Sequence, residues 1–207
     1  MIPVKVLAVR YLANAPMMAK SLGAPEGYPC LGLITTDSDD PTYIALDAAT
    51  KAADVKVCYG RSFYAGAANA STPYAGEVIG VLAGPTPGAV RSGMEAALGA
   101  LETIGFEERN GVPYLAYTVA SCGSFLAREA GVREGTAIAY LIAPPLESMY
   151  ALDSALKAAD TVLCKLYEPP SPTNFGGALL SGTQAACQAA CSAFANAVAE
   201  VAAHPID

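Results

Sequence analysis

The feature that most limits what this chain can fold into is an internal duplication. The ten residues from Ala45 to Asp54 recur from Ala151 to Asp160 with only two differences, Ala48 against Ser154 and Thr50 against Leu156. The two copies lie 106 residues apart in a chain of 207, so each occupies a half of small-domain size. The neighbourhoods correspond as well. A short apolar run, Leu31 to Thr35 or Ala139 to Ala143, precedes each copy and has strand length. Second strands follow at Val55 to Ala65 and Thr161 to Tyr167, and third strands at Glu77 to Ala83 and Gly177 to Leu180, which close on Gly84 and Gly182.

Each half then ends in a long helical pattern, from about Pro87 to Ile104 and from about Thr183 to Val201. Val90, Met94, Ala97, Leu98 and Leu101 recur at three and four residues, as do Ala186, Ala190, Phe194 and Val198; these are the apolar stripes of helices lying on a sheet. An extra strand opens each half, Val4 to Ala13 and Pro113 to Val119. The sequence therefore predicts an α+β unit twice over, with domains at 1–106 and 107–207 and the polar stretch Glu107 to Gly111 as the junction.

Composition narrows the functions open to such a chain. Apolar residues make up 53% and charged residues 15%, with no tryptophan, which excludes disorder and favours extensive packing within or between chains. Twelve basic against nineteen acidic residues give a net charge of −7 without a basic cluster, so nucleic acid is not expected as a partner. No apolar run reaches the roughly 20 residues that span a bilayer, and the first ten residues read as a strand; a cytoplasmic protein with no membrane partner is expected. Six cysteines occur without a C-x-x-C pair and read as reduced, mostly buried thiols, with Cys187 and Cys191 on one face of the last helix in the core.

Catalytic machinery is sparse. The single histidine, His204, sits near the C-terminus and reads as solvated, and no phosphate cradle, dinucleotide fingerprint or nucleophile elbow occurs. The expectation is no enzyme, no cofactor and no metal. The acidic stretch Asp37, Asp39, Asp40 reads in two ways. Asp40 can cap a helix with Pro41 at its first position, or the carboxylates can meet a cationic ligand; the lack of a loop glycine and a distal glutamate argues against calcium. Glu77 heads a third strand, and Thr173, Asn174 and Phe175 follow a proline-rich turn at the matching place in the other half. Loops that differ between matching copies are where binding chemistry can be grafted. Ser121, Cys122, Gly123 and Ser124 form a small-residue turn; a threefold arrangement of chains would present Cys122 three times, which would suit a soft metal or cluster.

Four segments in order carry a family resemblance: Leu31 to Asp47, Tyr59 to Ala68, Ala143 to Glu147 and Gly182 to Cys187. Together they resemble the tandem-domain shell proteins of bacterial microcompartments, of the ethanolamine-utilization type. The resemblance implies two circularly permuted, ferredoxin-like microcompartment domains per chain, a homotrimer shaped as a pseudohexamer, and a lattice shared with other shell proteins. It implies a structural, pore-bearing tile that admits small metabolites, with Ser121, Cys122 and Gly123 as the central pore loop. Carried over motif by motif, the contacts to a small amine such as ethanolamine would be Asp39, Asp40, Glu77, Phe106, Thr173, Asn174 and Phe175. The chain departs from the family at Ala120 to Ser124, where the family has Ser-Arg-Thr-Gly-Ser. An amine-binding or sensing module that builds no lattice is the alternative reading, and a carboxylate or thiolate enzyme a third, disfavoured by the missing histidine partner.

Overall fold

A computed structural model describes residues 1–63, 77–169 and 171–206. The last two residues of the strand expected to end at Ala65, part of the Tyr59 to Ala68 motif, the two residues before Glu77 and Pro170 of the proline-rich turn lie outside the described residues. The chain divides into two compact units that are not continuous in sequence. An N-terminal unit comprises Pro3–Ile104 with Gly123–Leu126, and a C-terminal unit comprises Met1–Ile2, Gly105–Cys122 and Ala127–Asp207.

In the N-terminal unit the order is β1 (Val6–Leu12), α1 (Pro16–Ser21), β2 (Cys30–Thr36), α2 (Asp39–Ala52), β3 (Lys56–Phe63), β4 (Glu77–Gly84) and α3 (Pro87–Leu101). The four strands form an antiparallel sheet in the order β1-β2-β4-β3. The period of two is explicit: Leu31, Val81 and Ala83 meet Ala19 of α1 on one face, while Ile34 and Leu82 are buried on the face that takes the long helices. Two glycines set how closely those helices approach. A Cβ on Gly32 would come within 2.7 Å of Val90 Cγ1 of α3, and one on Gly80 within 2.5 Å of Leu46 Cδ1 of α2.

The C-terminal unit repeats the plan with β5 (Glu107–Arg109), β6 (Val112–Val119), α4 (Ser124–Ala130, whose first turn belongs to the other unit), β7 (Ala137–Ala143), α5 (Pro145–Ala158), β8 (Thr161–Tyr167), β9 (Gly176–Gly182) and α6 (Gln184–Ala203). Its sheet runs β5-β6-β7-β9-β8. Leu141, Leu180, Ala151, Leu152, Ala155, Cys187, Ala190, Phe194 and Val198 share one core, with Cys191 at its edge. Cys187 and Cys191 thus pack as small apolar groups, and burial pushes the Cys191 thiol up to about 11. Four of the six cysteines, Cys30, Cys122, Cys187 and Cys191, are buried. His204 is exposed beyond α6.

Even irregularities are duplicated, because the strand register slips at Cys58 in β3 and again at Cys164 in β8. Three local expectations change. The polar stretch Glu107 to Gly111, expected as a loop, pairs with the next strand: Arg109 faces Val112 across a two-residue turn in which Asn110 (φ 51°) and Gly111 (φ 81°) both take left-handed backbone. The helix expected to be capped by Asp40 begins at Asp39, with Ser38 at the N-cap position. There the Ser38 carbonyl accepts from Thr36 and Thr42 hydroxyls at 2.9 and 2.7 Å, so a buried hydroxyl cluster orders the entry to α2. The helix α1, six residues long, carries too little periodicity to be read ahead of the structure.

The first repeated helix makes a contact its copy does not make. Asp47, fully buried, accepts the Gly123 N–H at 2.7 Å and the Leu126 N–H at 2.9 Å, and Thr50 Oγ1 accepts the Ser124 N–H at 3.1 Å. This is what draws Gly123–Leu126 into the N-terminal unit. Asp47→Ala would strand two buried amides, so it should lower unfolding stability by about 3 kcal/mol in urea titrations, with Asp47→Asn retaining part of the difference.

Candidate functional site

The carboxylates singled out in the sequence gather in the N-terminal unit. Asp39 and Asp40 occupy the first turn of α2 and are both buried; Asp39 accepts the Asp40 N–H at 2.9 Å. The positive end of the helix offsets part of their charge. Desolvation nevertheless dominates and raises the Asp39 pKa, against hydrogen bonds from the Ser62 hydroxyl and backbone amides. The neighbouring Asp40 is close enough to bear on how Asp39 titrates.

Two further side chains complete this group, and sequence reasoning missed both. Tyr43, one turn beyond Asp39, has its hydroxyl 2.8 Å from the Ser62 hydroxyl of β3. Burial, followed by the nearby Asp39 and Asp40 charges, pushes the Tyr43 phenol well above its ordinary range, so it stays a neutral donor. The four-residue spacing from Asp39 was a usable signal for Tyr43. Ser62 had none, because strand register is a tertiary fact.

Glu77, half-buried at the start of β4, pairs in register with Phe63 of β3. Asp37 accepts the Lys5 N–H at 2.7 Å, so it serves as a tie to β1. Its carboxyl is raised by desolvation first, with a smaller contribution from the charge of Glu77. Asp37, Asp39, Asp40 and Glu77 therefore concentrate negative charge at one end of β2 and β4, a setting that favours a cation.

The remaining residues belong to the C-terminal unit. Phe106 is buried, its carbonyl accepting the Ile2 N–H, and its ring meets Phe175 edge-on with centroids 5.8 Å apart. Thr173 and Asn174 shape the turn that delivers Phe175. The Ser171 hydroxyl accepts the Thr173 N–H at 3.2 Å, the Ser171 carbonyl accepts the Asn174 N–H at 3.0 Å, and Asn174 adopts φ 66°, which asparagine tolerates. The structure thus groups Asp39, Asp40 and Glu77 in one unit and Phe106, Thr173, Asn174 and Phe175 in the other.

The loop Ser121 to Gly123 is tied down on both sides. Cys122 is buried; its N–H donates to the Thr136 carbonyl at 3.0 Å and its thiol to the Arg133 carbonyl at 3.5 Å. Among the described residues, no three His, Cys, Asp or Glu side chains come together as a metal-ligand cluster, and no helix is long and apolar enough to cross a membrane.

An antiparallel sheet carrying paired helices is built twice, with four strands in one unit and five in the other, which defines the class as a doubled-domain α+β chain. Residues 30–113 match the BMC domain family. The chain is 56% identical over 206 residues to the bacterial microcompartment shell protein EutL of Clostridium perfringens, with 97% of this chain and 95% of that protein covered. It is 47% identical to EutL of Escherichia coli over 97% of this chain and 94% of that protein. A crystal structure of EutL from Clostridium perfringens superimposes with a TM-score of 0.93 at 55% identity, covering all of this chain and 96% of the other. The chain belongs to the EutL family of bacterial microcompartment shell proteins.

The raised carboxyl of Asp39 has a consequence of definite sign. A carboxyl whose folded pKa exceeds its unfolded value of about 3.9 costs stability in full above the folded pKa; the cost falls as pH drops below that value and is gone below the unfolded one. Asp39→Asn should therefore stabilise the protein at pH 7, and its advantage should shrink toward pH 4. Thermal melts of both proteins across that range measure the difference; an advantage that grew on acidification would contradict the burial argument.

Proposed function

We propose that this chain is a structural tile without catalytic activity, assembling as a homotrimer in the cytoplasm within the shell of a microcompartment, beside other shell proteins. The observation that carries this is the doubled unit in a chain of the EutL family. A chain holding two similar domains reproduces six similar edges when three copies close a ring, and six edges tile a plane together with true hexamers. The tile needs no cofactor. Its metabolite passage is assigned to the ring axis, with Ser121, Cys122 and Gly123 as the pore loop, and ethanolamine as the small molecule served.

Ethanolamine presents an ammonium and an alcohol. Asp39, Asp40 and Glu77 supply carboxylates for the ammonium. Taken by itself, the C-terminal unit contributes the Phe106 and Phe175 aromatic pair and the polar groups of the Thr173 and Asn174 turn, chemistry suited to a small amino alcohol.

Light scattering on the purified protein should give three times the chain mass, and electron microscopy at high concentration should show sheets. A monomer at micromolar concentration would remove the tile reading. A trimer that binds amine yet never forms sheets would favour a sensing module instead. In calorimetry, the heat of ethanolamine binding should vanish, or the affinity fall at least about tenfold, in Asp40→Asn and Glu77→Gln. Unchanged binding in both would show that these carboxylates are not the contacts.

A further inference from the structure

Asp39 is the most deeply buried carboxyl of the acidic group, and burial works against the charge that an ammonium would need to find there. What offsets burial is a line of hydroxyls. Ser62, on the edge strand β3, hydrogen-bonds the Asp39 carboxylate, and the Tyr43 hydroxyl lies 2.8 Å from the Ser62 hydroxyl. Proton counting sets the direction of both bonds. An ionised carboxylate only accepts, and serine has one proton, so Ser62 gives that proton to Asp39; the other bond then runs from the phenol to the serine oxygen. Burial, with the adjacent acidic charges, keeps the phenol neutral, so its proton stays in place. Each bond of such a line polarises the next.

Two neighbours fix the phenol ring. A Cβ on Gly60 of β3 would lie 3.0 Å from Tyr43 Cε1, so β3 approaches the ring this closely because residue 60 is glycine. The Phe125 ring packs at 5.9 Å.

The choice of neutral donors matters for a cationic ligand. The charges that bear on Tyr43 are Asp39 and Asp40 of its own helix and Arg61 of β3. Arg61 itself donates to the Gly60 carbonyl at 2.8 Å and lies 5.2 Å over the Tyr59 ring. A cation set against Asp39 would hold the carboxylate more strongly than a hydroxyl does, but it would also repel an incoming ammonium. Hydroxyls support the carboxylate and leave its full negative charge to the ligand.

The duplication separates this line from the needs of the fold. At 106 residues, Asp39, Tyr43 and Ser62 match Pro145, Met149 and Glu168, so all three members change in the second half. Thr42, beside Tyr43, matches Ser148, and both are fully buried hydroxyls. The hydroxyl that orders the helix entry is kept in both copies, and the line to Asp39 is built in one.

We infer that Tyr43 is a positioning residue of the amine site, acting through Ser62 to orient the Asp39 carboxylate and hold it as an acceptor for a primary ammonium. The inference deepens the amine-binding reading and rests on it.

Calorimetry of the full chain with ethanolamine, repeated between about pH 5 and about pH 8, tests the line. Tyr43→Phe keeps the ring and removes the hydroxyl. It should weaken binding about fivefold at pH 7 and move upward the pH at which acid abolishes binding, because Asp39 loses support for its charge. Ser62→Ala should act in the same direction at least as strongly, and the double variant should bind no more weakly than Ser62→Ala alone. Wild-type affinity and pH profile in Tyr43→Phe overturn the inference, as does a double variant that loses the product of the two single losses. A second readout needs no ligand. In an NMR titration of isotope-labelled aspartate carboxyls, the Asp39 midpoint should rise in Tyr43→Phe, and an unmoved midpoint overturns the inference whatever the binding data show. A wild type that gives no heat with ethanolamine at any pH overturns the ligand reading instead, and the Asp39 midpoint then decides the role of Tyr43 alone.

Discussion

The arrangement of the N-terminal unit depends on one buried carboxylate. Asp47 lies on the inner face of α2, and what it accepts is backbone amide: the N–H groups of Gly123 and Leu126. Burial works against its charge and raises its pKa, while those amides, and to a lesser degree Lys51, work in its favour. Room for the contact is equally exacting. A Cβ on Gly123 would strike Thr50 Oγ1 and come within 2.7 Å of the Asp47 carbonyl, so the strand-to-helix turn can reach α2 only with glycine at that position.

The acidic group at the start of α2 follows the opposite logic. Asp47 is held by the amides of a distant turn, whereas Asp39 takes its partners from its own helix start and from Ser62 of β3, beside the Tyr43 hydroxyl. Two adjacent buried carboxyls are a costly way to begin a helix when one capping side chain would do. Burial raises the Asp39 carboxyl for this reason, so the cost is carried at the helix entry and not in the core.

Much of this was legible in the sequence because the duplication let each half check the other. The third strands ending at Gly84 and Gly182, the long helices after Thr86 and Thr183, and the core position of Cys187 and Cys191 all follow from period and punctuation. The hairpin at Asn110 and Gly111 was equally readable, since Asn-Gly is the residue pair that a two-residue turn with two positive φ angles demands; the surrounding charges concealed it. Other features were not available to any local reading. Ser62 meets Asp39, and Phe106 meets Phe175, through sheet register and chain return, and Asp47 differs from Asp153 only in what the rest of the chain brings to it. Identical residue types in near-identical decamers occupy a buried and an exposed setting, so the pattern alone assigns both the same role.

That difference between Asp47 and Asp153 also separates two kinds of dependence on the surroundings. The contact at Asp47 involves segments of one chain, so the chain itself fixes their effective concentration, and the contact forms in every folded molecule. Asp153 is exposed beside Lys157 of its own helix, where water and salt screen the pair. Ionic strength therefore reaches one copy of the repeated helix and leaves the other nearly untouched.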